Sequence, residues 1–335
     1  MSSPQNINVL FTSAGRRVEL LRAFREAYSV LGITGHVIAL DADPLAPALQ
    51  VADKPFIVPR LDSPDYIPTL TKISRDENAT VIFPLIDPDI PLLARHRKTI
   101  EETGARLAVG PNKAVEIVSD KWLTDEFFKS LNLNVPRAWL PQQLDGRCMA
   151  YPLFIKPRAG SASNNAFKVH NQKELLFFSE YISDPIIEEY LPGPEITNDV
   201  VCDLDGKLLG VVSRRRIEVR CGEVSKGVTL RDERITAACA VIAEALPAIG
   251  PITVQCMMKD GIPHFTEINA RFGGGVPLGI AAGANSPAWV LARVAGIEPP
   301  LPPLGDYSLG IHVTRFDSAF FLSQDDRARL AGHRL

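Results

Sequence analysis

The first 112 residues alternate strand-length apolar runs with longer stretches in which apolar positions recur every three or four residues. In RRVELLRAFREAYSVLG, for example, Val18, Leu21, Phe24 and Tyr28 have the spacing of one helical face. Strands that alternate with helices of this length are typical of a parallel, doubly wound sheet. We therefore expect residues 1–112 to form one α/β domain.

The pattern changes after a helix that we predict over residues 113–132. Apolar strands now alternate with turn signals, and the pairs Asp-Gly at 205–206 and at 260–261 each lie between two apolar runs, as hairpin turns do. Two further helices are expected, at 233–246 and 284–296, and a Pro-rich linker leads into a last strand. This part of the chain is therefore predicted to be α+β.

Composition narrows the classes of function. The 335 residues are 46% hydrophobic and 22% charged, with a formal net charge of -3, so the overall basic field of a nucleic-acid binder is missing. The cysteines form no CxxC pair, which argues against a zinc site and a disulfide framework. No apolar run approaches the roughly 18 residues of a membrane span. We expect a cytoplasmic protein without nucleic-acid or membrane partners.

The segment TEINARFGGG, residues 266–275, holds the first candidate chemistry. In an extended strand Glu267, Asn269 and Arg271 share one face, about 6.6 Å apart. A carboxylate, an amide oxygen and a guanidinium in a row suit magnesium together with phosphate, because hard cations take oxygen ligands and share them with substrate phosphates. A solvated face on an edge strand is the alternative.

The preceding strand adds Gln255 to this row in only one register. A two-residue turn at 260–261 would pair Gln255 with Thr266 and put Gln255 and Glu267 on opposite faces. A three-residue loop would pair Gln255 with Phe265 instead and bring Gln255, Glu267 and Asn269 to one face. We predict the three-residue loop, with Gly261 in the left-handed conformation.

A lysine and a loop of small residues form a second candidate. Lys156 ends the apolar run YPLFIK, so its ammonium would project from a largely buried strand and need an anionic partner. The small and polar residues from Arg158 to Asn165 leave backbone N–H groups accessible, as phosphate-covering loops do. A lysine that reaches solvent beside a hairpin tip is the alternative. Neither GxxxxGK[ST] nor GxGxxG occurs, which argues against a P-loop and a nicotinamide oxidoreductase.

The segment PIIEEYLPGPEITNDV, residues 185–200, is a third candidate. Extended backbone at its start could pair with the edge of an adenine, and an acid seven residues after Glu188 could take ribose hydroxyls. A surface turn rich in glutamates explains the same letters.

The order of these motifs resembles the ATP-grasp superfamily, from the amino-terminal α/β domain to about residue 300. The resemblance implies an amino-terminal pre-ATP-grasp domain at 1–112 and an ATP-grasp fold with a small lobe at 113–190 and a large lobe at 191–335. Within that superfamily, the sequence pattern most resembles short ligases similar to the carbamoyl phosphate synthetase large chain and to pyrrolysine biosynthesis enzymes.

The resemblance also implies a role for each matching residue. The implied ATP-binding residues are Lys121, Lys156, the lid residues Gly160, Ser161, Ala162 and Ser163, the adenine-binding Glu188, Glu189 and Leu191, the ribose ligand Glu195, and Gln255. The implied metal ligands are Gln255, Glu267 and Asn269. The implied catalytic residues are Arg271, Lys156 and Arg216, the last taken from the basic run SRRRIEVR.

By resemblance, the activity is that of an ATP- and magnesium-dependent ligase that joins a carboxylate to an amine, or to a thiol, through an acylphosphate. It would use two Mg²⁺ ions, or Mn²⁺ in their place, and small-molecule substrates; a homodimer is left open. The alternatives are a nucleotide-binding sensor without turnover and a carbamoyl-phosphate-synthetase-like half enzyme.

The amino-terminal domain offers further substrate-binding groups. The loop 12–17 opens a helix and could hold an anion. Asp87 and Asp89 lie beyond a strand end, where open α/β sheets bind ligands, and could receive an amine. For Asp41 and Asp43 we expect a capping or turn role.

Overall fold

The computed structural model of the chain describes residues 6–144, 149–160, 165–220 and 222–326. Its amino-terminal unit consists of β1 (Asn8–Thr12), α1 (Val18–Leu31), β2 (Val37–Asp41), β3 (Lys54–Ile57), α2 (Tyr66–Asp76), β4 (Ala79–Pro84), α3 (Asp89–Arg95), α4 (Arg97–Glu101) and β5 (Arg106–Leu107). The strands form a five-stranded parallel sheet in the order β3-β2-β1-β4-β5. This arrangement confirms the predicted doubly wound sheet.

The next unit is a small lobe with one four-stranded antiparallel sheet, in the order β6-β9-β7-β8. Its elements are α5 (Asn112–Ser119), α6 (Lys121–Ser130), β6 (Ala138–Trp139), β7 (Leu153–Pro157), β8 (Phe167–Val169), α7 (Gln172–Tyr181) and β9 (Pro185–Glu189). The prediction of one helix over 113–132 was wrong. Asp120 is extended and breaks it, because its carboxylate accepts the amide hydrogens of Trp122 and Leu123 and so caps α6.

The remainder of the described chain builds a six-stranded antiparallel sheet, in the order β14-β13-β10-β11-β12-β15. Its elements are β10 (Glu195–Cys202), β11 (Leu208–Arg220), β12 (Glu223–Leu230), α8 (Glu233–Ala245), β13 (Pro251–Lys259), β14 (Ile262–Asn269), α9 (Val276–Ala281), α10 (Ser286–Val294) and β15 (His312–Thr314). The predicted α+β character is confirmed. Sequence reasoning missed β12, α7 and the short α9.

The turn between β13 and β14 differs from the prediction. Lys259 pairs with Ile262, so the turn has two residues and not three. Asp260 and Gly261 both have positive φ, 50° and 74°, as a hairpin turn with matching right-handed twist requires. The expected left-handed Gly261 is present, but the expected three-residue loop was wrong.

A two-residue turn alone would put Gln255 and Glu267 on opposite faces of the hairpin, but a β-bulge brings them to the same face. Cys256 pairs with Phe265 and the next residue, Gln255, pairs with Glu267, which leaves Thr266 as the extra residue. The amide of Phe265 donates to the carbonyl of Asn134 outside the hairpin. Gln255 and Glu267 therefore lie directly opposite each other and share a face, although not for the predicted reason.

The packing of the core ties the strand β14 to the amino-terminal sheet. Phe272, directly after the site strand, is buried with its ring centroid 5.7 Å from Phe24 and 5.5 Å from Phe83. The small lobe has a separate apolar cluster around Ile155 and Ile187. Within the described residues, no helix combines the length and the apolar character that a membrane crossing requires.

Candidate active site

A cleft with a volume of about 530 Å³ opens where the three units meet. The residues that were predicted to bind ATP or metal or to act in catalysis all line this cleft where the structure describes them: Lys121, Lys156, Gly160, Glu188, Glu189, Leu191, Glu195, Arg216, Gln255, Glu267, Asn269 and Arg271. The lid residues Ser161, Ala162 and Ser163 lie outside the described residues. These residues are separated by up to 150 positions in the sequence, and the fold brings them together in the cleft.

The small lobe supplies two lysines. The Lys156 ammonium lies 2.9 Å from the carboxylate of Glu188 on the neighbouring strand β9, and both side chains are buried. Lys121 begins α6, and its ammonium donates to the carbonyl of Gly160 at 2.8 Å. Burial lowers the pKa of Lys121, and the nearby Lys156 ammonium lowers it further. Two cations held this close favour a bound anion such as a phosphate.

The predicted adenine site lies at the end of β9. Glu189 lines the cleft, and its carboxylate is paired with Arg137 at 3.2 Å and with Lys259 at 3.3 Å. Leu191 is buried in the cleft wall together with apolar atoms of Phe154. An apolar slot beside extended backbone is the usual environment of a planar base.

One carboxylate and one amide fix each other at the predicted ribose site. The Glu195 carboxylate accepts hydrogen bonds from Arg216 at 2.6 Å and from the Gln255 amide at 2.5 Å. The Gln255 oxygen in turn accepts from the Asn269 amide at 3.3 Å. This chain of bonds orients three of the predicted ligands before anything binds.

Glu267 behaves differently from the other acids. Among the described residues its carboxylate has no hydrogen-bond or ion-pair partner, although it is half-buried in the cleft. Burial raises the pKa of the Glu267 carboxyl, against the opposing charges of Lys121 and Lys156. A desolvated carboxylate with free lone pairs fits a cation ligand.

The described residues contain no cluster of three or more His, Cys, Asp and Glu that could hold a metal ion alone. The oxygen donors here are one free carboxylate, Glu267, and two amides, Gln255 and Asn269. Such a set fits Mg²⁺, which usually keeps only one or two carboxylates and takes further oxygens from phosphates. The donor set therefore suits an ion that arrives with a nucleotide.

Arg271 links the large lobe to the amino-terminal sheet. Its guanidinium donates to Asp87 at 2.8 Å and to the Asn269 oxygen at 3.2 Å. Asp87 therefore neutralises Arg271 and also lines the cleft, and the expected binding of an amine by Asp87 stays a prediction. Asp87 and Arg271 are 184 positions apart in the sequence, and no local sequence pattern predicts that they pair.

The three glycines after Phe272 leave room for arginine side chains. A Cβ at Gly275 would lie 2.3 Å from the guanidinium carbon of Arg214, and one at Gly274 would lie 2.5 Å from Nη1 of Arg17. Arg214 is itself buried and bound to Asp199 at 2.9 and 3.0 Å. The cleft floor is therefore built from bare backbone crossed by guanidinium groups.

Two aspartates of the amino-terminal domain differ in their surroundings: Asp89 is buried, whereas Asp41 lies at a turn. Asp89 is fully buried and accepts from Thr12 at 2.5 Å and from Ser13 at 2.8 Å, so the expectation that it receives an amine was wrong. Burial raises the pKa of Asp89 to about 7. Asp41 accepts from the amides of Gly15 and Asp43, in agreement with the expected turn role.

The loop 12–17 was expected to hold an anion, but the cluster that its two arginines form with Glu223 was not predicted. This carboxylate lies 3.9 Å from Arg16, 3.1 Å from Arg17 and 3.1 Å from Arg315. The sequence signal was the pair of arginines directly after the β1 loop, since that position lies at the carboxyl edge of the sheet.

Two family models match the chain. The model of the PylC-like N-terminal domain matches residues 9–108, and the model described as ATP-grasp in the biosynthetic pathway with Ter operon matches residues 182–315. D-alanine–D-alanine ligase A from Bacillus cereus is 27% identical over 247 residues, which cover 64% of this chain and 79% of the relative. The large chain of carbamoyl phosphate synthase from Caldanaerobacter subterraneus is 24% identical over half of this chain, but only 17% of that relative is covered.

Solved structures share the fold. N5-carboxyaminoimidazole ribonucleotide synthetase from Thermus thermophilus superposes with a TM-score of 0.69 at 19% identity, over 88% of this chain and 79% of that one. L-amino acid ligase from Bacillus licheniformis superposes with a TM-score of 0.66 at 21% identity, over 87% and 75%. The chain therefore carries a PylC-like amino-terminal domain, matched over residues 9–108, and an ATP-grasp domain, matched over residues 182–315, and it is similar to ATP-grasp ligases.

Proposed function

We propose that this protein is an ATP- and magnesium-dependent ligase that activates a small carboxylic acid as an acylphosphate and transfers the acyl group to an amine. The observation that carries the proposal is the convergence of Lys121, Lys156, Glu267 and Arg271 on one cleft. Cations suited to a triphosphate and a free carboxylate suited to a metal ion meet there, beside an apolar slot. The relatives named above as ligases support the same class of reaction.

ATP would lie between the small and large lobes. We assign the adenine to the main chain of Glu189 and Leu191 and the ribose to Glu195. The Lys156 ammonium would bind the phosphates and release part of its interaction with Glu188, whose carboxylate is then free for the exocyclic amino group of adenine. Lys121, whose ammonium donates to the carbonyl of Gly160, would add a second cation for the phosphates, and Gly160 would lie beside them. The predicted lid residues Ser161, Ala162 and Ser163 lie outside the described residues.

Glu267, Asn269 and Gln255 would hold the divalent ions, and we propose two Mg²⁺ ions, replaceable by Mn²⁺. When bound, these ions neutralise the phosphate oxygens and align the transfer. Of the three ligands only Glu267 carries a charge, so it is the residue on which binding depends most.

The chain's own residues have little covalent chemistry to perform, because phosphoryl transfer depends on alignment and charge neutralisation. A carboxylate oxygen of the acid forms a bond to the γ-phosphorus while the bond to ADP breaks and ADP leaves with the electron pair. The amine then attacks the acyl carbon, loses a proton, and phosphate leaves. Arg271 and Lys156 would stabilise the charge that shifts between these oxygens.

Arg216 contributes indirectly in this proposal. Its guanidinium is already bound to Glu195 and to the carbonyl of Gly222, so we assign it to positioning the ribose ligand. The substrates are small molecules, and we propose domain limits at 1–112, 113–190 and 191–335, a cytoplasmic location, and a homodimer as the assembly to test first.

Hydroxylamine trapping tests the proposal without knowledge of the amine. The protein is incubated with MgATP, a panel of carboxylic acids and hydroxylamine, which converts an acylphosphate to a hydroxamate. We expect ADP and hydroxamate in equal amounts, dependent on the acid and abolished by EDTA. ATP binding without ADP release for any acid would favour the sensor, and bicarbonate as the one accepted acid would favour the carbamoyl-phosphate-synthetase-like half enzyme.

A further inference from the structure

Three arginines share a single carboxylate at the edge of the cleft. Arg16, Arg17 and Arg315 all approach Glu223, at 3.9, 3.1 and 3.1 Å. Three guanidinium groups against one carboxylate leave two positive charges in excess. The Arg16 side chain is 63% exposed and solvated, but Arg17 and Arg315 are mostly shielded from water and have one carboxylate between them. Such an excess of shielded charge is unfavourable unless a further anion is supplied.

The excess charge faces the cleft. Arg16, Arg17 and Glu223 line the cavity, whereas Arg315 lies behind them and donates to the carbonyl of Gly274. The Arg17 side chain is only 15% exposed. Burial lowers the pKa of Arg17 to about 10, and the charges of Arg271 and Arg315 act in the same direction.

The cluster adjoins the ion pair of Arg271 and Asp87 in the cleft. The charges of Arg271 and Asp87 act on Arg17, and the same two charges act on Glu267, beside which Lys121 and Lys156 also lie. Because Arg271 is near both Glu267 and Arg17, an acid whose reacting carboxylate is at Arg271 would direct its other end to Arg17.

We propose that the acid substrate carries a second anionic group, a carboxylate or a phosphate, which Arg16 and Arg17 bind. This inference rests on the proposed ligase function. Arginine forks match the planar oxygens of both groups with two parallel hydrogen bonds. Glu223, supported by Arg315, holds the two arginines in place until the substrate binds, and it competes with the substrate for them.

Matched pairs of acids test the inference in the hydroxylamine assay. The pairs are L-glutamate and L-glutamine, L-aspartate and L-asparagine, and O-phospho-L-serine and L-serine, so that the second anion is present or absent on the same frame. We expect the charged member of at least one pair to have a kcat/KM at least tenfold higher than that of its partner. The carboxylate pairs and the phosphate pair distinguish the two sources of the anion.

Variants test which residues bind the second anionic group. In Arg16→Ala and Arg17→Ala, the KM for the charged acid should rise at least tenfold while the KM for ATP stays the same. Glu223→Gln removes the competing carboxylate and should lower the KM for the charged acid. Arg17→Lys keeps the charge without the fork, and it replaces Arg17→Ala if the alanine variant does not fold.

Arg231→Ala is the matched control, because Arg231 is an exposed arginine paired with Asp306 at 3.1 Å outside the cleft. ADP release with the uncharged members equal to or faster than with the charged ones would overturn the inference and leave the ligase function intact. If ADP binds but no acid in any pair or in the wider panel releases it, the proposed function fails and the inference fails with it.

Discussion

At the scale of single residues, Glu267 stands apart from the other carboxylates of the cleft. Asp87, Glu188, Glu195 and Glu223 each have a cationic partner, whereas Glu267 has no partner among the described residues. A half-buried carboxylate without a partner is unfavourable, and burial accordingly raises its pKa. The arrangement is explained if a cation completes the site.

Replacing Glu267 by glutamine therefore tests the metal assignment. The amide keeps the shape but loses the charge, so we expect kcat to fall by at least about 100-fold while the melting temperature is unchanged or higher. Glu244→Gln, an exposed glutamate on α8, is the control and should be as active as the unmodified protein. Retained turnover in the Glu267 variant would remove this carboxylate from the metal site.

Asp89 gives a prediction for stability. It is buried with Thr12, Ser13 and the ring of Tyr66, near Asp41 and Asp87, and burial raises its pKa from 3.8 to about 7. Between these values the unfolded chain has lost a proton that the native protein keeps, so stability falls as pH rises from about 4 to 7 and is level above that. A pKa difference of this size corresponds to a change of a few kcal/mol in the free energy of unfolding.

Urea denaturation of Asp89→Asn checks this sign. The free energy of unfolding of the unmodified protein, relative to the variant, should decrease by a few kcal/mol as the pH is raised from 4 to 7. Asp62→Asn, at an exposed aspartate, serves as the comparison and should follow the unmodified protein. Parallel curves for the protein and Asp89→Asn would show that Asp89 ionises normally.

Residue types in the site could be predicted from the sequence because the motifs carry their chemistry locally. Glu267 and Asn269 alternate on β14, and their shared face follows from strand geometry alone. Arg271 was expected on the same strand, but the strand ends two residues before it. The partners of the charged groups could not be predicted. Asp87 and Arg271 are 184 positions apart, and only the packing of two domains brings them to 2.8 Å.

At the scale of elements, the hairpin of β13 and β14 shows how a correct face can follow from an incorrect turn. The sequence Asp-Gly favours a two-residue turn. In a regular hairpin, however, Gln255 and Glu267 would share a face only with a three-residue loop. The bulge at Thr266 reconciles the two, but its cause lies outside the hairpin, in the bond from the Phe265 amide to Asn134. No pattern within the hairpin encodes that contact.

The glycine segment between β14 and α9 gives a prediction from matched substitutions. Gly275→Ala would drive a methyl group into Arg214, which a buried pair with Asp199 holds fixed, so we expect a loss of about 3 kcal/mol in the free energy of unfolding. Gly274→Ala meets the ends of Arg17 and Glu223, which line the open cleft and can shift together into it, so we expect a smaller loss, under about 1 kcal/mol.

The two variants should also differ in function. Displacement of Arg17 in Gly274→Ala should raise the KM for the acid without a change in the KM for ATP, measured by ADP release. Equal losses of stability in the two variants would mean that the arginines do not determine the need for glycine here.

At the scale of the whole molecule, the pattern of strands and helices was sufficient to predict an α/β domain followed by an α+β region, whereas the division of that region into two lobes came from the resemblance to the ATP-grasp superfamily. Local periodicity specifies each element, and connection rules restrict how elements assemble. The relative placement of the units follows from contacts that the sequence does not display. Phe272 packs into the amino-terminal aromatic cluster and so fixes the direction in which β14 delivers Arg271.

Because the cleft is shared by the three units, a nucleotide bound there should stabilise the molecule as a whole. At a concentration of MgADP 100 times its Kd, linkage gives about 2.7 kcal/mol, which for a chain of this length raises the melting temperature by about 4 °C. EDTA should remove the part of the shift that depends on the metal.

In Glu267→Gln the shift in melting temperature with MgADP should equal the shift with ADP and EDTA, since the charged ligand is missing. In Lys156→Met both shifts should shrink, because the phosphates lose a cation that does not depend on the metal. A shift that neither EDTA nor Glu267→Gln changes would place the nucleotide in the cleft without a metal at β14, and the division of roles between the lysines and the hairpin would then be wrong.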